Sequence, residues 1–175
     1  MENNNKGRTG SYGQLSGFTL VDRFGIFLSK HRIRGYLKKY GRRDLKLLDL
    51  GCGFHALMLK AVLPYISHGV GVDIAVSEDA KNIPNVQIIE KTVEESFSIF
   101  KDSSFDVVLL NSVLEHIEDP LLVLRECRRV LTDRGALLIN VPTWAGKFFL
   151  EMAAFKLKLS PKTEIDDHRM YYDKK

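Results

Sequence analysis

The sequence predicts an α/β fold, with a parallel sheet covered by helices on both faces. Three observations carry this. Short apolar runs alternate along the chain with segments of helical spacing. The runs at 46–50, 69–73, 86–90, 105–111 and 136–141 are nearly continuous in apolar residues, where a half-exposed strand would alternate. The first run, Leu47-Leu48-Asp49-Leu50, passes straight into Gly51-Cys52-Gly53, and helix-compatible sequence begins at Phe54. Glycines at such a turn bring the backbone close to a ligand and adopt dihedrals other residues resist. In an open parallel sheet that turn lies at the carboxyl end of a strand, where cofactors bind.

A chain of 175 residues is long enough for one domain with a substantial core. Apolar residues make up 45% and charged residues 27%, which separates it from disordered and membrane-spanning chains. The net charge of +4 is uneven. Residues 1–44 hold 10 Lys/Arg against 3 Asp/Glu, a net of +7, and the remaining 16 basic against 19 acidic residues give −3. A basic front of this kind suits phosphate, nucleic acid or an anionic membrane, or is simply a solvated helix face. Cys52 and Cys127 belong to no CxxC pair or metal cluster, as expected of a reducing compartment. No run reaches the roughly 20 apolar residues of a membrane span, and the first residues lack a signal core. A cytoplasmic protein is expected, with room for a peripheral place at the inner membrane face.

Taken in order, residues 1–20 are rich in Asn, Gly and Ser and read as a flexible arm. A basic leader helix is expected within 21–44. Ile26, Ile33, Tyr36, Leu37 and Tyr40 fall near one face, Lys30, Arg32, Arg34, Lys38 and Lys39 fill much of the rest, and Gly41 is the stop. The core spans 45–143. Strand one at 46–50 precedes a helix over 55–65. Strands two and three at 69–73 and 86–90 precede a short helix over 93–100, then strand four at 105–111. Asp119-Pro120 opens the clearest helix, Asp as cap and Pro at its first position. Val123, Leu124, Cys127, Val130 and Leu131 lie on one face of it, opposite Arg125, Glu126, Arg128 and Arg129. Gly135 ends the connection to strand five. Beyond Pro142, residues 147–159 are apolar almost all round, which predicts a buried helix or one against lipid or substrate, followed by a polar tail.

The turn leaves two cofactors open. Gly51-x-Gly53-x-x-Ala56 satisfies the dinucleotide pattern, and Asp73 lies about twenty residues on, placed to accept from ribose hydroxyls. An NAD(P)-dependent oxidoreductase is therefore a competing reading. Against it, Asp49 ends strand one where dinucleotide folds usually carry an apolar residue, and a carboxylate suits a ligand bearing positive charge. S-Adenosyl-L-methionine carries both a sulfonium and an ammonium.

With the further run from Phe105 to Pro120, the sequence resembles the class I S-adenosylmethionine-dependent methyltransferases of small-molecule type. The resemblance spans about 45–143 and includes Leu48-Asp49-Leu50-Gly51-Cys52-Gly53 and Gly69-Val70-Gly71-Val72-Asp73. It implies a Rossmann-like, doubly wound parallel sheet of strand order 3-2-1-4-5. By the resemblance, Asp49, Gly51, Cys52 and Gly53 line the methionine end of the cofactor, Asp73 holds the ribose hydroxyls and Ile74 packs on the adenine. Asn111 borders the methionine moiety, and His116 lies near the sulfonium. There are three departures from the family pattern. His55 replaces the usual third glycine. Lys91-Thr92-Val93 stands where an acidic residue often meets the adenine, leaving Thr92 or the Val93 N–H to serve. The family sheet continues into a helix and an antiparallel hairpin, order 3-2-1-4-5-7-6, whereas this chain stops before any hairpin. Residues 167–172 resemble the lead into that part in methyltransferases of bacterial surface-polysaccharide and lipid-linked pathways. Strand five is then an open edge, available for pairing in a homodimer.

Methyl transfer is an in-line displacement at an already activated carbon, so the protein chiefly aligns the partners, an effect of roughly 7–11 kcal/mol in well-oriented systems. His116 is the candidate base where the acceptor must lose a proton, or else a histidine that only packs by the cofactor. His55 orients substrate or fills the missing glycine's space, Cys52 serves through its backbone, and Glu115 reads as solvated or an acceptor. No His/Asp/Glu spacing calls for a metal. Aromatic and apolar residues over 144–155 and the basic leader helix predict an amphipathic, anionic small-molecule or lipid-linked acceptor. No base-stacking motif accompanies the charge to indicate nucleic acid. A cofactor-binding module without turnover is the remaining alternative.

Overall fold

The computed structural model describes residues 10–14, 18 and 20–141 of the chain. The leader is α1, Leu20–Tyr40. Strands β1 (Leu45–Leu50), β2 (Ile66–Asp73), β3 (Val86–Glu90), β4 (Phe105–Asn111) and β5 (Leu131–Asn140) follow. Between them lie α2 (Leu57–Val62), α3 (Glu78–Lys81), α4 (Val93–Ser96) and α5 (Pro120–Val130). Every strand pair is parallel, and the sheet order is β3-β2-β1-β4-β5, the order expected from sequence.

Strand period explains how one sheet serves two layers. Successive side chains point to opposite faces. Leu48 and Leu50 of β1 with Val108 and Leu110 of β4 enter the layer under α4 and α5. Leu45 and Leu47 with Val107 and Leu109 enter the layer under α1, α2 and α3. All eight are fully buried, which is why these strands read as continuous apolar runs.

Helix ends follow local chemistry. The Asp119 side chain accepts from Leu122 N–H at 3.0 Å with Pro120 at the first helical position, as predicted. The predicted helix over 55–65 begins only at Leu57, because Ala56 is left-handed at φ 47°. It then tightens to a 3₁₀ turn over Leu63–Tyr65 around Pro64. The helix over 93–100 likewise divides into α4 and a 3₁₀ turn, Phe97–Ile99. Helix α3 was not anticipated, and its signal is Ser77, whose hydroxyl accepts from Ala80 N–H at 3.3 Å. Strand β5 starts earlier than predicted, at Leu131 directly after α5. Its register then slips across 132–135 before Ala136 pairs with Val107. The apolar helix and polar tail predicted beyond 144 lie outside the described residues.

Two polar anchors hold the layers. Arg129 of α5 donates to the carbonyls of Phe97 at 3.0 Å and Phe100 at 2.9 Å and pairs with Asp102 and Glu126. Helix α1 runs antiparallel to β5: Tyr40 donates its hydroxyl to the Arg134 carbonyl near one end, and Asn140 Nδ2 donates to Ser29 Oγ at 3.3 Å near the other. The first turns of α1 therefore stand at the carboxyl ends of the strands. Among the described residues no helix is long and apolar enough to cross a membrane.

Candidate functional site

The site is built on the bend after β1. Gly51 and Gly53 both take positive φ, 72° and 74°, in the left-handed region that favours glycine. Gly51 also lies under Val113, where an added Cβ would come within 2.4 Å of Val113 Cγ2. The N–H groups of Gly51 and Cys52 donate to the Val72 carbonyl at 2.8 and 3.0 Å, folding the bend back over the neighbouring strand.

Asp73, at the end of β2, is the second component. Its Oδ2 accepts from Gly53 N–H and its Oδ1 from Ile74 N–H, both at 2.8 Å. Each carboxylate oxygen has a second lone pair, so two acceptor positions remain for a ligand's hydroxyls. Ile74 beside it is exposed, as a residue meeting a flat ring would be.

Asp49 is the third. Its side chain is fully buried, and neither oxygen has a hydrogen-bond partner among the described residues. Burial, with the Asp73 charge adding to it, pushes its carboxyl up to about 7. A buried carboxylate without a partner is costly unless a cation or donor meets it. Cys52 is buried beside it, and desolvation together with Asp49 and Asp73 drives its thiol upward, away from thiolate chemistry.

Other predicted residues fall on the same rim. Asn111 ends β4, where its Oδ1 accepts from Asn140 Nδ2 at 3.1 Å. Ser112 follows with φ 58° and donates its N–H to the Asn140 carbonyl at 2.7 Å. His116 closes a 3₁₀ turn, Leu114–His116, with its N–H on the Val113 carbonyl, and is half-buried beside buried Glu115. Thr92 is differently engaged: its hydroxyl accepts from Glu95 N–H at 3.2 Å and the Glu95 carboxylate accepts from Thr92 N–H, a reciprocal cap on α4. The Thr92 hydroxyl thus serves its helix as an acceptor and keeps its own proton to donate. Val93 presents an N–H at the first helical position, where no intrahelical acceptor exists.

The amino-terminal segment adds residues the sequence reading missed. The Tyr12 carbonyl accepts from Phe54 N–H at 3.0 Å, and its hydroxyl donates to Asp22 of α1 at 2.8 Å. Phe18 packs edge-on against His55, 5.9 Å between ring centres, and its ring lies over Gly13. His55, standing where a glycine was expected, is therefore held by an aromatic cluster with Phe18 and Phe54. Part of the segment read as a flexible arm is seated on the bend. Asn140 was missed as well, although two neighbouring strands each ending in Asn were visible in the sequence. A groove of about 360 Å³ runs from Asn111 and Asn140 between α1 and β5, past Arg32 and Tyr36.

This geometry joins an acidic strand end, a bend free of Cβ atoms and an acceptor carboxylate on the adjacent strand, at the carboxyl edge of a parallel sheet. Comparison with known proteins bears on the family and the fold. The methyltransferase domain family matches residues 48–139, which include Asp49, the bend, Asp73, Asn111 and His116. The chain is 28% identical over 148 residues to a ubiquinone biosynthesis O-methyltransferase of Histophilus somni, covering 77% of this chain and 59% of that protein. The chain thus spans about three fifths of that relative's length. Among solved structures, the YcgJ protein of Bacillus subtilis is 26% identical with a TM-score of 0.56, covering 69% of this chain and 51% of its own. The 1,6-didemethyltoxoflavin-N1-methyltransferase of Burkholderia thailandensis, solved with bound 1,6-didemethyltoxoflavin and S-adenosylhomocysteine, is 19% identical with a TM-score of 0.57, covering 70% of this chain and 54% of its own. It shares the fold. With more than half of its length matched by the family, the chain belongs to the methyltransferase domain family.

Proposed function

We propose that this protein transfers the methyl group of S-adenosylmethionine to an amphipathic small-molecule or lipid-linked acceptor. The observation that carries the reading is Asp49: a fully buried carboxylate without a partner among the described residues, at the foot of the glycine bend. A cationic ligand seated there supplies the missing partner, and a nicotinamide dinucleotide, whose pyrophosphate is anionic, meets repulsion instead.

S-Adenosylmethionine supplies a methyl carbon already activated by its sulfonium. The residues of this chain do the rest. Asp49, Gly51, Cys52 and Gly53 receive the methionine end, with Asn111 at its border. Asp73 offers its two remaining acceptor positions to ribose hydroxyls, Ile74 covers one side of the adenine, and the Val93 N–H is free to meet an adenine nitrogen. The Thr92 hydroxyl, which accepts from Glu95 N–H, keeps its own proton to donate toward the adenine. His116, at the same rim, takes a proton from acceptors that must lose one. Tyr12, seated over the bend, limits water at the mouth. The open outer edge of β5, which has no strand partner among the described residues, is the surface through which two copies would pair, as light scattering would detect.

Calorimetry with S-adenosylhomocysteine tests the reading most directly. Binding that weakens in Asp73→Ala is expected. A folded chain that ignores S-adenosylhomocysteine and binds NADH instead would overturn it. Transfer of labelled methyl to a lipid extract, lost in His116→Gln with cofactor binding intact, would separate an active enzyme from a binding module.

A further inference from the structure

Helix α1 carries two apolar stripes, and only one faces the core. Ile33 and Leu37 are buried with Ile26 packed beside them. On the opposite side, Phe24, Phe27, Leu28 and His31 recur at three- and four-residue spacing and share a solvent face. Phe24 and Phe27 are each 63% exposed, and the Phe27 ring stacks on His31. Arg23, Lys30, Arg34 and Lys38 border this stripe along one side, Arg32 and Lys39 along the other. None of these six has an acidic partner among the described residues. A groove of about 300 Å³ lies among Lys30, Arg34, Lys38 and Tyr65.

We infer that this outer face of α1 is a docking surface for an anionic lipid bilayer, set so that the cofactor bend opens toward the membrane. Phe24, Phe27 and Leu28 enter the boundary between headgroups and acyl chains, and the flanking cations meet lipid phosphates on both sides, the pattern of an interfacial helix. The helix direction supplies the orientation. Ser29 contacts Asn140 at the carboxyl end of β5, so Phe24, Phe27 and Leu28 lie at or above the level where the bend, Asp73 and Asn111 sit. Asp22, one turn from this stripe, is linked through Tyr12 to Phe54 in the bend. The apolar centre of the stripe favours a bilayer over nucleic acid, because phosphate backbones reward the cations but gain nothing from an exposed Leu28. The inference rests on the reading of a lipid-linked acceptor, and vesicle binding is measured apart from methyl transfer.

Sedimentation of the full chain with phosphatidylcholine vesicles, with and without roughly 30% phosphatidylglycerol, tests it. Each cation near an anionic surface multiplies affinity by roughly five. The expected result is pelleting with the anionic vesicles alone, lost at about 0.5 M salt, where the screening length is a few ångströms. Arg34→Gln with Lys38→Gln should weaken binding by about 25-fold, two such factors. Phe24→Ser with Phe27→Ser should weaken it at least tenfold. Both pairs are exposed, so circular dichroism and S-adenosylhomocysteine binding should be unchanged and report the fold and cofactor site separately. No pelleting at low salt, or pelleting untouched by the Phe substitutions, overturns the inference. So does binding of a mixed-sequence RNA at the same salt more tightly than vesicles, with no effect of the Phe substitutions.

Discussion

The backbone N–H of Gly53 donates to Oδ2 of Asp73 across 2.8 Å, so the bend after β1 is held in shape by the carboxylate that ends β2. The same side chain accepts from Ile74 N–H. One residue thus fixes the bend and keeps acceptor positions beside it. Asp73→Ala removes two charge-assisted hydrogen bonds and any made to a ligand, each worth roughly 1.5–3 kcal/mol. Affinity for S-adenosylhomocysteine is expected to fall by about tenfold or more in calorimetry. The melting temperature should fall too, because the Gly53 and Ile74 donors lose their partner. Asp73→Asn, which keeps one acceptor oxygen, should lie between.

Asp49 makes the empty fold sensitive to pH. Its carboxyl moves from the ordinary 3.8 up to about 7, driven first by burial and then by Asp73. Between those values the unfolded chain has released a proton that the folded chain keeps. Stability from this group is therefore greatest at low pH, declines as pH rises through the window from about 4 to 7, and levels off above it. The full loss is on the order of 4 kcal/mol. Urea unfolding at several pH values should show the slope in the native sequence and not in Asp49→Asn. A cationic ligand acts in the opposite sense, binding more tightly as Asp49 ionises and releasing a proton below neutrality. Calorimetry in buffers of different ionisation enthalpy would detect that proton.

Gly51 is constrained by dihedral and by space together. With φ at 72° and Val113 Cγ2 at 2.4 Å from an added Cβ, Gly51→Ala combines left-handed strain with overpacking. Together these should cost about 2–4 kcal/mol. Adding Val113→Ala clears the contact but leaves the dihedral. The double variant should therefore be less destabilised than the two single losses added together, a coupling that a thermodynamic cycle from denaturant curves would measure.

Arg129 joins α5 to the segment before β4 through the carbonyls of Phe97 and Phe100 and the carboxylate of Asp102, and pairs with Glu126 within its own helix. Arg129→Met keeps the aliphatic stem and leaves the part-buried carbonyls of Phe97 and Phe100 without their donor. A loss of about 2 kcal/mol is expected. S-Adenosylhomocysteine affinity should be unaffected, because the anchor lies by the amino end of β4 whereas the bend follows the carboxyl end of β1. Arg129→Lys should restore only part of the stability, since an ammonium cannot match the guanidinium fork.

The sheet was legible because its strands are buried on both faces, and such burial writes itself as unbroken apolar runs such as Val107–Leu110. Its order came with the family resemblance at Asp49, Gly51, Gly53 and Asp73, and the coordinates reproduce it. Boundaries were less legible where backbone conformation decided them. Nothing in Ala56 announces a left-handed residue, so α2 starts later than helical spacing implies. The site divided in the same way. Asp73 meets the bend as expected, because strand ends bring it there. The second role of Thr92, as the cap of α4, was legible three residues on, at Glu95, where a capping box is completed. The link from Tyr12 to Phe54 and Asp22 could not be read, since it joins a segment without periodicity to two distant elements.

The antiparallel course of α1 along β5 gives the molecule a working pole and a quiet one. At the quiet pole, Arg42 clasps Asp44 and Asp106, and Asp106 accepts from Lys46 N–H, at the opposite end of β1 from the bend. Substitutions there should alter lifetime and abundance without touching selectivity. Around the first turns of α1, substitutions should alter what the protein docks against while the layers of buried leucines on the two faces of the sheet stay intact. Divergence among proteins built on this plan is therefore expected to gather at one end of a single helix.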